Sequence, residues 1–264
     1  MTLFTGIEWA THTVNFWIGC TPQSAECSDC YALKHDRRFN GLKYWGRHRP
    51  RLEVKGGPAE LRKANRMAPV SGPRPIVFIN SMSDFFDIDV DPDRRARAWD
   101  VIRECDRVVI IILTKQAQNI PGMLPDDWGN GWNHVWLGFS AGTKKLFHQQ
   151  ASHLFNVPAA KYIWSAEPVM ELINATQFLI SGPFFFDWVM IGGRSKTHHP
   201  THLEGLAVLV DQCRAGGVPA FVKQLGQNPA YECKPWPISD PKGGNYDEFP
   251  EWLKCRQFPA GAHA

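Results

Sequence analysis

Apolar and polar positions along this chain of 264 residues fall into blocks. Short runs that are apolar without strict alternation carry the signature of strands buried on both faces. They are Val14 to Ile18, Ile76 to Asn80, Arg107 to Thr114, Val135 to Phe139, Lys161 to Ser165, Trp188 to Ile191 and Ala220 to Val222. Between them lie stretches with helical spacing: Tyr31 to Phe39, Pro58 to Met67, Pro92 to Cys105, Lys145 to Phe155 and Thr201 to Ala215, with a helix or loop reaching Ile180. Pro58 suits a first helical turn, and Ala98, Trp99, Ile102 and Cys105 share one face of the helix after Pro92. Strand, helix, strand in repetition predicts an α/β fold whose helices are the crossovers of a parallel sheet. With about seven strands, a complete or partial (β/α) barrel is favoured over an open doubly wound sheet.

One domain is expected over residues 1–264, since 44% hydrophobic composition supplies a core of that size. The tail 227–264, rich in Pro, Gly and Trp, is expected to wrap the barrel without adding strands. No apolar window is long enough to cross a bilayer and nothing at the start resembles a secretion signal, so a cytoplasmic protein with reduced thiols is expected.

Net charge is only +3, too mild to announce a nucleic-acid binder by itself. The local distribution changes that picture. Lys34, His35, Arg37, Arg38, Lys43, Arg47, His48, Arg49, Arg51 and Lys55 crowd one segment, interleaved with Phe39, Tyr44 and Trp45. Such a segment is either an arm for a phosphate-rich partner or a solvated helix and loop.

Three of the seven cysteines, Cys20, Cys27 and Cys30, form C-x6-C-x2-C in the loop after the first strand. A set of three without an obvious fourth leaves one coordination position open, as an iron–sulfur cube held by three thiolates does, whereas structural zinc takes four closed ligands. His35 would complete a Cys3His zinc set if the chain folded back, so spacing alone leaves both metals in play. An odd cysteine count in a long chain argues against a disulfide framework. Cys105, Cys213, Cys233 and Cys255 show no close pairing and read as packing residues.

In a parallel barrel, chemistry sits just past the C-terminal ends of the strands. The residues there are polar: Asn80, Ser81 and Asp84, then Thr114 and Lys115, Ser140, Glu167, Gly192 and Gly193, Lys223 and Gln224. Lys115, Glu167 and Lys223 abut strong apolar strands, where burial demands a partner or a ligand, and salt bridges ringing the barrel mouth are the competing account. The cluster His198, His199 and His202 reads as a surface loop and helix start. Ser140 lacks the context of a nucleophile elbow.

Ile7-Glu8-Trp9, Gly19-Cys20, Cys27-Ser28-Asp29-Cys30-Tyr31-Ala32, Leu113-Thr114-Lys115, Trp136-Leu137-Gly138, Ser165-Ala166-Glu167-Pro168, Gly192-Gly193, Lys223-Gln224 and Asp240-Pro241-Lys242-Gly243-Gly244 together carry a resemblance over almost the whole chain. It resembles the phage-associated three-cysteine-motif proteins grouped with the radical S-adenosylmethionine (SAM) enzymes of TIM-barrel type. The resemblance implies a [4Fe–4S] cluster on Cys20, Cys27 and Cys30 whose free iron chelates SAM. It implies reductive cleavage of SAM to a 5′-deoxyadenosyl radical that abstracts hydrogen from a substrate, with electrons from a flavodoxin- or ferredoxin-type reductant. By the same analogy Ser81, Asp84, Lys115, Ser140, Glu167, Gly192 and Gly193 hold SAM, and Lys223 and Gln224 stand nearer the substrate as catalytic candidates. The family's setting suggests host cytoplasm and a nucleotide or nucleic-acid base as substrate, met through Lys34 to Lys55.

Two departures stand against a direct transfer. The commoner spacing in that superfamily is C-x3-C-x2-C, and Asn80-Ser81-Met82-Ser83-Asp84 stands where it has a glycine-glycine-glutamate segment. A rival expectation from another class is a non-catalytic nucleic-acid-binding protein carrying zinc or a cluster.

Overall fold

The computed structural model describes residues 5–181, 185–195 and 199–263. In chain order the strands and helices are β1 (His12–Val14), β2 (Trp17–Ile18), α1 (Tyr31–Asn40), β3 (Leu52–Glu53), α2 (Gly57–Met67), β4 (Arg74–Ile79), α3 (Pro92–Glu104), β5 (Val109–Thr114), β6 (Val135–Ser140), α4 (Lys144–Leu154), β7 (Tyr162–Ala166), β8 (Trp188–Gly192), β9 (Thr201–His202), α5 (Leu203–Gly216), β10 (Ala220–Gln224), β11 (Pro229–Tyr231), β12 (Lys234–Pro235) and β13 (Ala262–His263). Among the described residues no helix is long and apolar enough to cross a membrane.

The chain divides into two compact units, the first made of residues 1–139, 152–161 and 260–264, the second of 140–151 and 162–259. In the first unit β1, β4, β5 and β6 form a parallel ladder, with His12 opposite Val77, Ile76 opposite Val109 and Ile110 opposite Val135. Every residue from Val108 to Ile112 is buried, as a strand covered on both faces requires. Helix α3 begins as its sequence dictates: the Asp91 side chain accepts from the Asp93 N–H at 2.9 Å and Pro92 occupies the first turn. It buries Ala98, Trp99 and Ile102 on one face, and the Trp99 ring meets Phe85 at 4.9 Å and Trp128 at 5.5 Å. Aromatic pairs of this kind contribute about 0.5–1.5 kcal/mol each beyond their buried area.

In the second unit β7, β8 and β10 are parallel, with Ile163 opposite Trp188 and Ala220 opposite Val189. Helix α5 packs on β8 and β10 and ends at Gly217, whose left-handed φ of 68° costs a residue without Cβ nothing. The Phe147 and Trp164 rings meet at 4.4 Å in its core.

The α/β class and the parallel strand pairing are thus as the sequence implied. Two details differ. The strand expected over Val14 to Ile18 is broken at Asn15, whose Oδ1 accepts from Met82 N at 2.8 Å while Phe16 N donates to Asn80 Oδ1 at 2.8 Å. Side chains there take over the hydrogen bonds of the ladder, and β2 pairs antiparallel with β3 instead. The tail also adds strands: β11 joins β9 and β12, and β13 joins β4. Elements of two or three residues are too short to show alternation, and Pro229 and Pro235 stand at strand ends, where a missing N–H is tolerated.

Candidate functional site

The sequence-predicted residues fall into two groups, one in each unit. The first surrounds the cysteine loop at the C-terminal ends of β1, β4 and β5. Gly19, at φ 109°, donates to Met82 O at 3.2 Å, and a Cβ on it would stand 2.2 Å from Tyr44 O, so only glycine fits. Cys20 follows, and its carbonyl accepts from Gly46 N at 2.9 Å. Thr21 is then fixed by Asp87, which accepts from the Thr21 N–H at 2.9 Å and from its hydroxyl at 3.2 Å.

Beneath this turn lies the buried guanidinium of Arg51. Its Nη1 donates to the carbonyls of Tyr44, Gly46 and Arg49 at 3.2, 3.2 and 2.9 Å, and its Nη2 donates to Thr21 Oγ1 at 2.6 Å and Asp87 Oδ2 at 2.7 Å. Arg51 is therefore a strut of the cysteine loop, not a surface contact for phosphate as its place in a basic run suggested. Asp89 joins the same network. Burial raises its carboxyl, but the His48 N–H, the Thr21 hydroxyl and the Arg47 and Arg51 charges outweigh that and hold it below the usual range.

Cys27 sits in the 3-10 turn Ala25–Asp29, where its N–H donates to Ser24 O at 3.1 Å, and Cys30 N donates back to Cys27 O at 3.2 Å. Glu26 between them is buried, with Lys115 Nζ 3.7 Å from its Oε2. Sequence reasoning missed Glu26, although a carboxylate inside a cysteine loop opposite a strand-end lysine was there to be read. The Tyr31 hydroxyl donates to Ser81 O, and Ser81 Oγ accepts from Asn15 Nδ2 at 3.3 Å.

Burial pushes the Cys20 thiol well up, and Asp84, Asp87, Cys27 and Cys30 push it further. The Cys30 thiol is also raised, first by burial and then by Cys27, while the N–H groups of Leu33 and Ala32 at the start of α1 and the Lys115 charge pull the other way. Among the described residues, no three His, Cys, Asp or Glu side chains converge as the ligands of a single metal ion do. His35, the candidate fourth zinc ligand, is exposed on α1 with its ring 4.7 Å from that of Phe39.

Asp84 has an internal role. Its Oδ1 accepts from Thr114 Oγ1 at 2.7 Å and Phe86 N at 2.9 Å, and its Oδ2 from Lys115 N at 2.9 Å. Burial raises its carboxyl in spite of these donors, and it ties the loop after β4 to the end of β5.

The second group belongs to the other unit. Glu167, at the end of β7 and followed by a cis bond to Pro168, pairs through Oε2 with Lys223 Nζ at 2.7 Å, and Ser140 Oγ donates to Glu167 O at 3.1 Å. This is the strand-end salt bridge that the sequence weighed against a ligand role. Gly192 leaves room for it, since a Cβ there would lie 3.1 Å from Glu167 Oε2. Gly193 N donates to Gln224 O at 2.9 Å, and the Gln224 amide reaches Gly193 O at 3.3 Å and Ser195 Oγ. The loop Asp240-Pro241-Lys242-Gly243-Gly244 closes beside it: Asp240 accepts from the N–H groups of Lys242, Gly244 and Asn245, and Gly243 O accepts from Leu225 N at 2.8 Å.

Of the histidine cluster, His198 lies outside the described residues, and His199 and His202 are exposed. Cys105 and Cys213 are packed in the cores, with burial pushing their thiols up to about 11 and about 12. Cys255 is half-buried, and its thiol reaches Ala220 O at 3.3 Å. Cys233 is exposed, contrary to a packing role, because Glu232 and Cys233 form the positive-φ turn that joins β11 to β12.

No curated protein and no solved structure matches the chain. A family model described as "Protein of unknown function (DUF5131)" matches residues 4–250, a description that carries neither phage origin nor radical SAM chemistry. A match over nearly the full length establishes membership: the chain belongs to the DUF5131 family.

Proposed function

We propose that the protein is a radical SAM enzyme with a partial (β/α)-barrel architecture, holding a [4Fe–4S] cluster on Cys20, Cys27 and Cys30. The observation that supports this reading is geometric: Gly19, just before Cys20, is bridged in parallel to Ser83 past the end of β4, and Asp84 there accepts from Lys115 N at 2.9 Å at the end of β5, so the cysteine loop starts at the edge where α/β sheets take their ligands. Three thiols on one short loop are the donor type and number that such a cluster takes. When bound, the cluster with SAM supplies one-electron cleavage of the sulfonium and a carbon radical that takes hydrogen from a substrate.

This chain's own residues hold and shield that site. Arg51, Asp87 and Thr21 fix the peptide at Cys20, and Glu26 with Lys115 fixes the turn before Cys27. The first turn of α1 presents N–H groups to Cys30 that offset part of the burial raising its thiol, so less has to be regained when it ionises. Lys115 offers a cation at the loop for a ligand carboxylate.

Anaerobic reconstitution with iron and sulfide tests the reading. A brown protein that releases 5′-deoxyadenosine from SAM under dithionite is expected, with Cys20→Ala, Cys27→Ala and Cys30→Ala each colourless. A wild-type protein that stays colourless with one tightly held zinc, or takes up a cluster and leaves SAM intact, overturns it.

A further inference from the structure

We infer that the exposed face of α1 and the loop after it bind single-stranded nucleic acid, with Phe39 as the surface on which a base stacks and Arg37, Arg38 and Lys43 as contacts to its phosphates. This deepens the proposed function by naming the substrate class. That the strand is substrate rests on the cluster reading, while binding itself does not.

Charge is the first ground. Between Tyr31 and Arg51 the single carboxylate is Asp36, and it is buried, its oxygens accepting from Asn40 Nδ2 at 2.9 Å and Tyr44 N at 3.2 Å. The exposed charge of the segment is thus entirely positive. The structure also narrows the basic run. Arg51 is interior, and Arg47 and His48 lie 3.9 and 3.7 Å from Asp89, which offsets them. Arg37, Arg38, Lys43 and Arg49 are exposed and face no carboxylate within ion-pair distance among the described residues. Arginines in the last turn of a helix are ordinary, because they complement its dipole.

What is not ordinary is Phe39 beside them, 63% exposed at the C-terminal end of the helix. The Arg38 guanidinium stands 5.2 Å from its ring centre and the His35 ring 4.7 Å, while Lys43 stands 5.5 Å from the Tyr44 ring. A cation-flanked ring facing solvent suits a flat, electron-rich partner. Phosphates with stackable faces are offered by an unpaired strand, whereas a duplex hides its base faces. Cys30 is the N-cap of the same helix, so Phe39 stands about 12 Å along it from the cysteine loop, about 1.5 Å per residue.

The test is fluorescence anisotropy on the full chain, without iron or SAM, using a labelled oligothymidylate of about fifteen nucleotides, a duplex of the same length, and heparin as a competitor without bases. The single strand is expected to bind more tightly than the duplex. Phe39→Ala should weaken it about five-fold or more without changing the salt dependence, since the loss is one of stacking, and Phe39→Trp should restore binding. Arg37→Gln with Arg38→Gln should lower the slope of log K against log salt by about 1.4, at about 0.7 per phosphate contact on a single strand. All four side chains are exposed, so melting temperatures should stay at the wild-type value and separate folding from binding. No binding at low salt, or an affinity that heparin abolishes and Phe39→Ala leaves unchanged, overturns the inference whether or not a cluster assembles.

Discussion

Replacing Arg51 by Met removes a buried guanidinium that makes five hydrogen bonds within 3.2 Å and leaves Asp87, itself fully buried, facing the gap. Two routes give the size of the loss. Five bonds at about 0.5–1.5 kcal/mol each amount to about 2.5–7.5 kcal/mol, and stranding one partner of a buried ion pair costs about 3–5 kcal/mol. The two overlap, so a destabilisation of about 3–5 kcal/mol is expected, a large part of the stability of an ordinary domain. Urea denaturation followed by tryptophan fluorescence measures it. Arg51→Lys should recover little, because an ammonium cannot fork between carbonyls and carboxylate. Adding Asp87→Asn to Arg51→Met should return at least about 1 kcal/mol by removing the stranded charge. The same variant should alkylate faster at Cys20 than at the packed Cys213. A loss below about 1 kcal/mol with unchanged Cys20 alkylation would refute the strut and return Arg51 to the nucleic-acid face.

Two further outcomes are expected. Asp240 is held below the usual carboxylate range by the N–H groups of Lys242, Gly244 and Asn245, and Glu248 by the Ser239 hydroxyl and N–H. Folded values depressed below 3.8 and 4.5 contribute stability that is present above those values and lost as pH falls through the folded ones, so urea midpoints should hold above about pH 5 and fall as pH drops below it and on past 3.8, less so in Asp240→Asn. Gly193→Ala puts a Cβ 2.2 Å from the Leu225 carbonyl oxygen and should cost about 1–3 kcal/mol, whereas Gly192→Ala meets only the Glu167 side chain at 3.1 Å, which can yield, and should cost less in the same urea titration.

Much of the fold was legible because strands buried on both faces are written in continuous apolar letters. Ile76 to Asn80 and Arg107 to Thr114 are found as Arg74–Ile79 and Val109–Thr114. The break at Asn15 was not, since an amide that replaces ladder hydrogen bonds looks in sequence like any polar residue within an apolar run. Of the candidate site, the cysteines and the strand-end lysines were legible from type and spacing. The roles of Arg51, Asp84 and Glu26 were not, because a charge directed inward and a charge directed outward are spelled alike. Only the burial of Asp87, two strand-ends away in sequence, tells one from the other.

The pairing of β13 with β4 means that the first unit takes in a segment that follows the whole second unit along the chain: Gly261 O receives the Arg74 N–H at 2.9 Å, and Ala262 lies opposite Arg74. A nascent chain leaving the ribosome therefore carries the first two residues of β4, Arg74 and Pro75, without this partner until the second unit has been synthesised in full. Deleting residues 260–264 would leave that stretch of β4 permanently without its partner, and aggregation during expression would be its symptom.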